Sequence, residues 1–189
     1  MRPETRVPDR LEPRRSALVV IDIQERFRDL IHRMDEVVAG TKRLIEFGQQ
    51  LDIPILVTEH YPRGLGETLG ELRLLCDGFD PIEKIHFSCC GDEGFRRRLA
   101  ALRRDQVILC GIEAHVCVYQ TACDLLRDGK QVAVAVDAVS SCRSVDREIG
   151  LRRMAEVGAQ NMGVQMLMFE LLVKAGTDQF KAVSNLLKY

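Results

Sequence analysis

Three side chains far apart in the sequence have the types and settings to do chemistry together: a carboxylate, a thiol and an ammonium. Asp22 interrupts the apolar run Ala17-Leu-Val-Val-Ile-Asp-Ile. An unpaired carboxylate at the end of a buried strand is costly, so this one needs a partner or a job. The structural alternative is an acid that caps the next helix or meets a structural cation. Cys117 lies in Cys110-Gly-Ile-Glu-Ala-His-Val-Cys117, where an apolar run ends, a glycine turns and a helical pattern begins. A sulfur in the first helical turn would meet unpaired N–H groups and the positive end of the dipole, which lowers a thiol pKa from about 8.5. The same N–H groups could hold a developing oxyanion. The alternative is a core-facing cysteine on an amphipathic helix. Lys84 sits in Pro81-Ile-Glu-Lys-Ile-His-Phe87, a charged pair flanked by apolar residues. A lysine in a short strand is usually solvated; one turned toward the strand ends would favour both an ionised carboxylate and a thiolate.

Other candidates have simpler explanations. Gly64, Gly66 and Gly70 do not have the spacing of a dinucleotide fingerprint, and no P-loop is present, so they read as a flexible loop near a pocket. The four histidines, at 32, 60, 86 and 115, lack the two-ligand spacing of a helical metal site. His60 follows a strand and faces the expected ligand edge, where it could touch substrate; no metal is expected. Cys89 and Cys90 cannot hold zinc alone, and neighbouring cysteines rarely form a relaxed disulfide. His115 is two residues from Cys117, so a papain-like Cys-His pair is not the first choice.

These residues need a frame to bring them together. Apolar runs covering Ala17 to Ile23, Ile53 to Val57, Val107 to Cys110 and Val132 to Val136 have the continuous character of strands buried on both faces. Weaker ones cover Ile82 to Phe87 and Gln160 to Met162. Helical stretches lie between them, at Asp35 to Leu51, Asp92 to Arg103, Ala114 to Asp128, Asp146 to Val157 and Gln165 to Lys174. In the fourth, Ile149, Arg153 and Met154, and Val157 give a mostly apolar stripe. Gly129 stands where a C-terminal glycine cap is expected. The alternation implies βαβ units with right-handed crossovers, hence a three-layer, doubly wound α/β fold, Rossmann-like, with ligands at the carboxyl ends of the strands.

With 189 residues and 46% apolar side chains, the chain suits one domain with a large core. Residues 1–15 hold three prolines and eight charges and read as a surface or interface arm outside the core; residues 16–189 form the domain. Twenty-seven basic against 28 acidic side chains imply no general attraction to nucleic acid or membrane. Neither a signal peptide nor a membrane span is apparent, and seven cysteines, an odd number, suit a reducing cytoplasm.

Taken together, Val-Val-Ile-Asp22-Ile-Gln, then Lys84 with Phe87-Ser88, then Cys-Gly-Ile-Glu-Ala-His-Val-Cys117-Val-Tyr-Gln-Thr-Ala, and Val136-Asp-Ala-Val-Ser-Ser141, resemble the isochorismatase-like cysteine hydrolases, in particular their isochorismatase-domain-containing branch. The resemblance runs from about Ser16 to the C-terminus. It implies about six parallel strands, an Asp-Lys-Cys triad at Asp22, Lys84 and Cys117, a cis peptide between Ile112 and Glu113, and an oxyanion hole from the amides of Glu113 and Cys117. Two places depart from the relatives. Ala114 stands where threonine is common, and Glu59, His60 and Tyr61 occupy the stretch in which nicotinamidases carry metal ligands.

The expected reaction is hydrolysis of a small amide-type C–N bond through a thioester, with no cofactor. The alternatives are a non-catalytic scaffold or small-ligand module of the same fold, and isochorismatase-type ether hydrolysis. Gln24, Phe27, His60, Tyr61, Phe87 and Tyr119 are the candidate substrate contacts. A homo-oligomer, dimer or tetramer, is expected, with the apolar tail from Phe180 to Tyr189 among its contacts.

Overall fold

The computed structural model describes residues 8–76 and 78–187. Its strands and helices follow in the order β1 (Ser16–Ile21), α1 (Met34–Gln50), β2 (Ile55–His60), α2 (Pro62–Leu65), α3 (Gly70–Arg73), β3 (Ile82–Lys84), α4 (Glu93–Ala101), β4 (Gln106–Ile112), α5 (Tyr119–Arg127), β5 (Gln131–Ser140), α6 (Ser144–Glu156), β6 (Gln160–Met162), α7 (Val164–Leu172) and α8 (Asp178–Val183). Six strands form one sheet, ordered β3-β2-β1-β4-β5-β6, and all neighbouring pairs are parallel. The order reverses direction between β1 and β4, so their carboxyl ends flank the topological switch point, where doubly wound sheets open a crevice.

Alternation along β1 divides the core. Leu18 and Val20 face α1, α7 and α8, whereas Ala17, Val19 and Ile21 face α4, α5 and α6. Burial on both faces explains why the run carries no polar residue between Ala17 and Ile21. At the other side of the crevice, Gly111 has φ +115°, and a Cβ there would lie 2.1 Å from the carbonyl oxygen of Ile21. Only glycine lets β4 run this close to β1.

Several sequence expectations are corrected. The segment before β1 is not outside the core: Leu11 is fully buried, its N–H donates to Glu170, and the side chains of Gln106 and Gln131 reach the carbonyls of Arg10 and Asp9. Residues 1–7 of the expected arm lie outside the described residues. β2 begins two residues later than expected and continues through Thr58, Glu59 and His60, because the buried alternation runs on through polar side chains that find partners. In α6 the stripe is misplaced. Ile149 and Val157 are exposed, and the helix packs instead through Met154 and Gly150, whose missing Cβ admits the backbone of Ala114 and His115. The 64–70 segment is not a featureless loop but carries the turns α2 and α3. The C-terminal tail folds back on its own subunit, with Val183 and Leu187 buried against the core; residues 188 and 189 lie outside the described residues.

Candidate active site

At the carboxyl end of β1 the chain turns through Asp22, whose φ of 53° is a left-handed conformation that aspartate adopts more readily than most residues. Asp22 is buried, and both of its oxygens are engaged. Oδ1 accepts from the Thr58 hydroxyl at 2.7 Å, and Oδ2 accepts from Lys84 Nζ at 2.6 Å. Thr58 is placed for this by sheet register, since it pairs with Ile21, and its carbonyl also receives the Asp22 N–H at 3.1 Å. Lys84 crosses from β3, two strands away, with its side chain fully buried. Its other donors reach the carbonyls of His86 at 3.1 Å and Phe87 at 3.2 Å. Burial by itself would lower the Lys84 pKa, but the Asp22 carboxylate turns the net shift upward, so the ammonium is held charged.

Cys117 enters from the other side of the crevice. After β4 the peptide between Ile112 and Glu113 is cis, and residues Ala114–Val118 form a single π-helical turn before α5 begins. The Glu113 carbonyl accepts the N–H groups of Val116 and Val118, and its carboxylate accepts the N–H of Cys142 at 2.7 Å. His115 is held to Ser141 through Nδ1 at 3.0 Å. The turn is thus tied to the segment after β5 on one side and packed on Gly150 of α6 beneath. Cys117 itself is 7% exposed. Burial, followed by the charge of Asp22, pushes its thiol well above the ordinary cysteine range, with Lys84 pulling the other way. The expectation of a thiol lowered by a helix terminus is therefore reversed: the sulfur sits inside a buried π turn, and desolvation opposes its ionisation.

Asp22 and Cys117 share a cavity of about 80 Å³. Phe27, His60, Phe87, Ile112, Glu113 and Val116 complete its walls. The rings of His60 and Phe87 stack at 5.5 Å with 30° between their planes. Burial, and then Lys84, lower the pKa of His60, which keeps that ring uncharged at neutral pH.

Of the six candidate substrate contacts, Phe27, His60 and Phe87 reach the cavity and three do not. Gln24 is fully buried and clamps β2 to the segment after it, bonding the N–H and C=O of His60 and the carbonyl of Gly66. Tyr61, at φ 41°, is turned outward and lies over Gly64, in a separate groove with Arg63 and Asp92. Tyr119 packs against the core on the α4–α6 side. Sequence reading missed Thr58 and Val116, and named Ile112 for the cis peptide but not as a cavity wall. Thr58 could have been found by extending the strand pattern past Val57, since a threonine level with Asp22 on a neighbouring strand can reach its carboxylate. Among the described residues no cluster of metal-ligating side chains is found, and no helix is long and apolar enough to cross a membrane.

The isochorismatase domain model matches residues 16–166. The secreted isochorismatase effector Isc1 of Phytophthora sojae is 39% identical over 183 residues, covering 95% of this chain and 87% of that protein. Isochorismatase domain-containing protein 2A of Mus musculus is 39% identical over 180 residues, covering 95% and 84%. Among solved structures, that of MAR1 ribonuclease from Caenorhabditis elegans superimposes with a TM-score of 0.90 at 39% identity, covering 95% of this chain and 92% of that one. With the sheet order, the matched span and these relatives in agreement, the chain belongs to the isochorismatase family.

Proposed function

We propose that this protein is a cysteine-dependent hydrolase that cleaves a small amide-type C–N bond through a thioester. The observation that carries this reading is convergence: Asp22, bonded to Lys84 at 2.6 Å, and Cys117 open into one small cavity at the switch point of the sheet. A thiol held above its usual range needs a base at the moment of attack, and Asp22 is the carboxylate that bears on it.

The steps follow from these positions. Asp22 takes the Cys117 proton as the sulfur bonds to the carbonyl carbon, and the carbonyl electron pair moves to oxygen. The amides of Glu113 and Cys117 receive that oxyanion. As the C–N bond breaks, Asp22 returns the proton to the departing nitrogen, leaving a thioester. A water then gives its proton to Asp22 and adds to the thioester, and the expelled sulfur recovers the proton. Lys84 stays charged throughout and holds Asp22 in place. A reducing compartment suits a chain whose seven cysteines form no disulfide, and the exposed side chains Met166 and Phe169 of α7, with Val173 just after it, support a homo-oligomer.

A screen of small amides, ureides and imides for ammonia or acid release tests the proposal, with Cys117→Ala as control. Turnover by the parent and none by a folded Cys117→Ala protein is expected. Equal turnover by both would remove Cys117 as nucleophile, and no turnover of any compound would favour the ligand-binding scaffold. Single-stranded RNA belongs in the same screen because of the name borne by the C. elegans relative. A phosphodiester, however, needs cationic contacts that the cavity walls do not offer. Isochorismate in the screen tests the ether reading.

A further inference from the structure

Among the described residues Lys84 is the cation bonded to this cavity's Asp22, and it is fully committed. An ammonium has three donors, and here they go to Asp22 Oδ2, the His86 carbonyl and the Phe87 carbonyl. None is left for a ligand. The remaining charged groups on the walls are acids. Asp22 is balanced by Lys84, whereas the Glu113 carboxylate accepts the N–H of Cys142, a neutral partner. His60 is held uncharged. The other walls are Phe27, Phe87, Ile112 and Val116, none of which can solvate an anion.

Size and shape narrow the ligand further. A cavity of roughly 150 Å³ can hold benzene, and this one is about 80 Å³. One wall is the flat pair formed by His60 and Phe87. A short, planar, apolar acyl group fits, with its carbonyl carbon at Cys117 and the leaving group toward the mouth. A carboxylate or phosphate on that group would lose its hydration, find no cationic partner on the walls, and lie beside Asp22 and Glu113.

We infer that the site selects substrates by charge, accepting an uncharged short-chain acyl amide and excluding the anionic analogue of the same size. The inference rests on the hydrolase reading for the word substrate, but its test does not. The full-length protein is treated with iodoacetamide and, separately, with iodoacetate, and modification of Cys117 is followed by mass spectrometry of its peptide. Both reagents need the same thiolate, so the small thiolate fraction cancels in the ratio of their rates. The amide-to-acid ratio at Cys117 is expected to exceed that of N-acetylcysteine by at least tenfold; a smaller excess overturns the inference. In parallel, butyramide is expected to be hydrolysed with a kcat/KM at least tenfold above that of succinamate. Selective alkylation without turnover of any amide would remove the hydrolase reading and keep the charge filter. Turnover of butyramide and succinamate at similar rates, with unselective alkylation, would do the reverse.

Discussion

Replacing Lys84 by methionine probes the centre of the site without need of a substrate. The side chains of Lys84 and Asp22 are 0% and 2% exposed, and their contact is 2.6 Å. Methionine fills much of the lysine stem's volume, so the change removes charge and donors more than packing. Asp22 would keep the Thr58 hydroxyl and the Cys117 thiol but lose its cation, and two carbonyls, of His86 and Phe87, would lose a donor. Breaking a buried pair by removing one partner costs about 3–5 kcal/mol, because the surviving charge stays buried and uncompensated. With a urea m-value of about 2 kcal/mol/M, the unfolding midpoint should fall by roughly 2 M. The double variant Asp22→Asn, Lys84→Met removes both charges, and it should recover about 2 kcal/mol or more of that loss, as a coupling energy in the cycle. Urea unfolding followed by far-UV circular dichroism reads all four proteins. A Lys84→Met protein within about 1 kcal/mol of the parent would refute the reasoning, since Asp22 would then not depend on the ammonium.

Three other outcomes are expected. Thr58→Val removes the hydroxyl that holds Asp22 Oδ1; losing one such bond at about 1 kcal/mol should lower kcat about fivefold with KM unchanged. Thr58→Ser, which keeps the donor, should restore the rate, and a Ser variant as slow as the Val variant would assign Thr58 a packing role only. The Cys117 thiol is raised, so it is protonated at neutral pH and its thiolate fraction must keep growing as pH rises. Its alkylation by iodoacetamide should therefore climb about tenfold per pH unit from 7 through 9, past the point near 8.5 where a free thiol begins to level off; a plateau below 8.5 would show the thiolate stabilised instead. Gly150→Ala places a Cβ 2.8 Å from the backbone of Ala114 and His115. Overpacking of this kind should destabilise the fold by about 1–3 kcal/mol in urea unfolding and slow turnover by displacing the Cys117 turn, and unchanged stability would show that α6 can shift without consequence.

What was legible in the sequence was what breaks a pattern. Asp22 ends an apolar run, and Gly111 to Cys117 marks a strand passing into a helix; both breaks fall at the crevice that the alternating elements predict. Signals that depend on partners two strands away were not legible. Taken by itself Lys84 looked like a solvated strand lysine, because its charged acceptor, Asp22, is brought to it only by the fold, while its other two acceptors are the nearby carbonyls of His86 and Phe87. Gln24 and Tyr61 followed strand ends and so looked like site residues, yet Gln24 is used up bridging backbone and Tyr61 is swung outward by a positive φ. Leu11 was hidden by the prolines and charges around it. The α6 stripe misled for a different reason: its true contact is made by a glycine, whose contribution is the absence of a side chain, which hydrophobic periodicity does not register.

The same accounting bears on why the buried pair is present at all. Two apolar side chains of similar volume between β1 and β3 would fill the space about as well, and such replacements are often neutral or stabilising. Stability therefore does not explain Asp22 and Lys84. Nor does it explain a thiol whose ionisation burial opposes, or an aspartate in a left-handed conformation at the same rim. Each feature is unfavourable alone, and each becomes intelligible through the others. In the proposed mechanism the ammonium holds the carboxylate in place, the carboxylate bears on the sulfur, and the sulfur stays protonated until a carbonyl carbon arrives. A site arranged in this way keeps its nucleophile quiet toward solvent and spends its buried ammonium internally. The charge filter at the cavity then follows from the catalytic arrangement itself, because an ammonium that must steady Asp22 cannot also greet an anionic substrate.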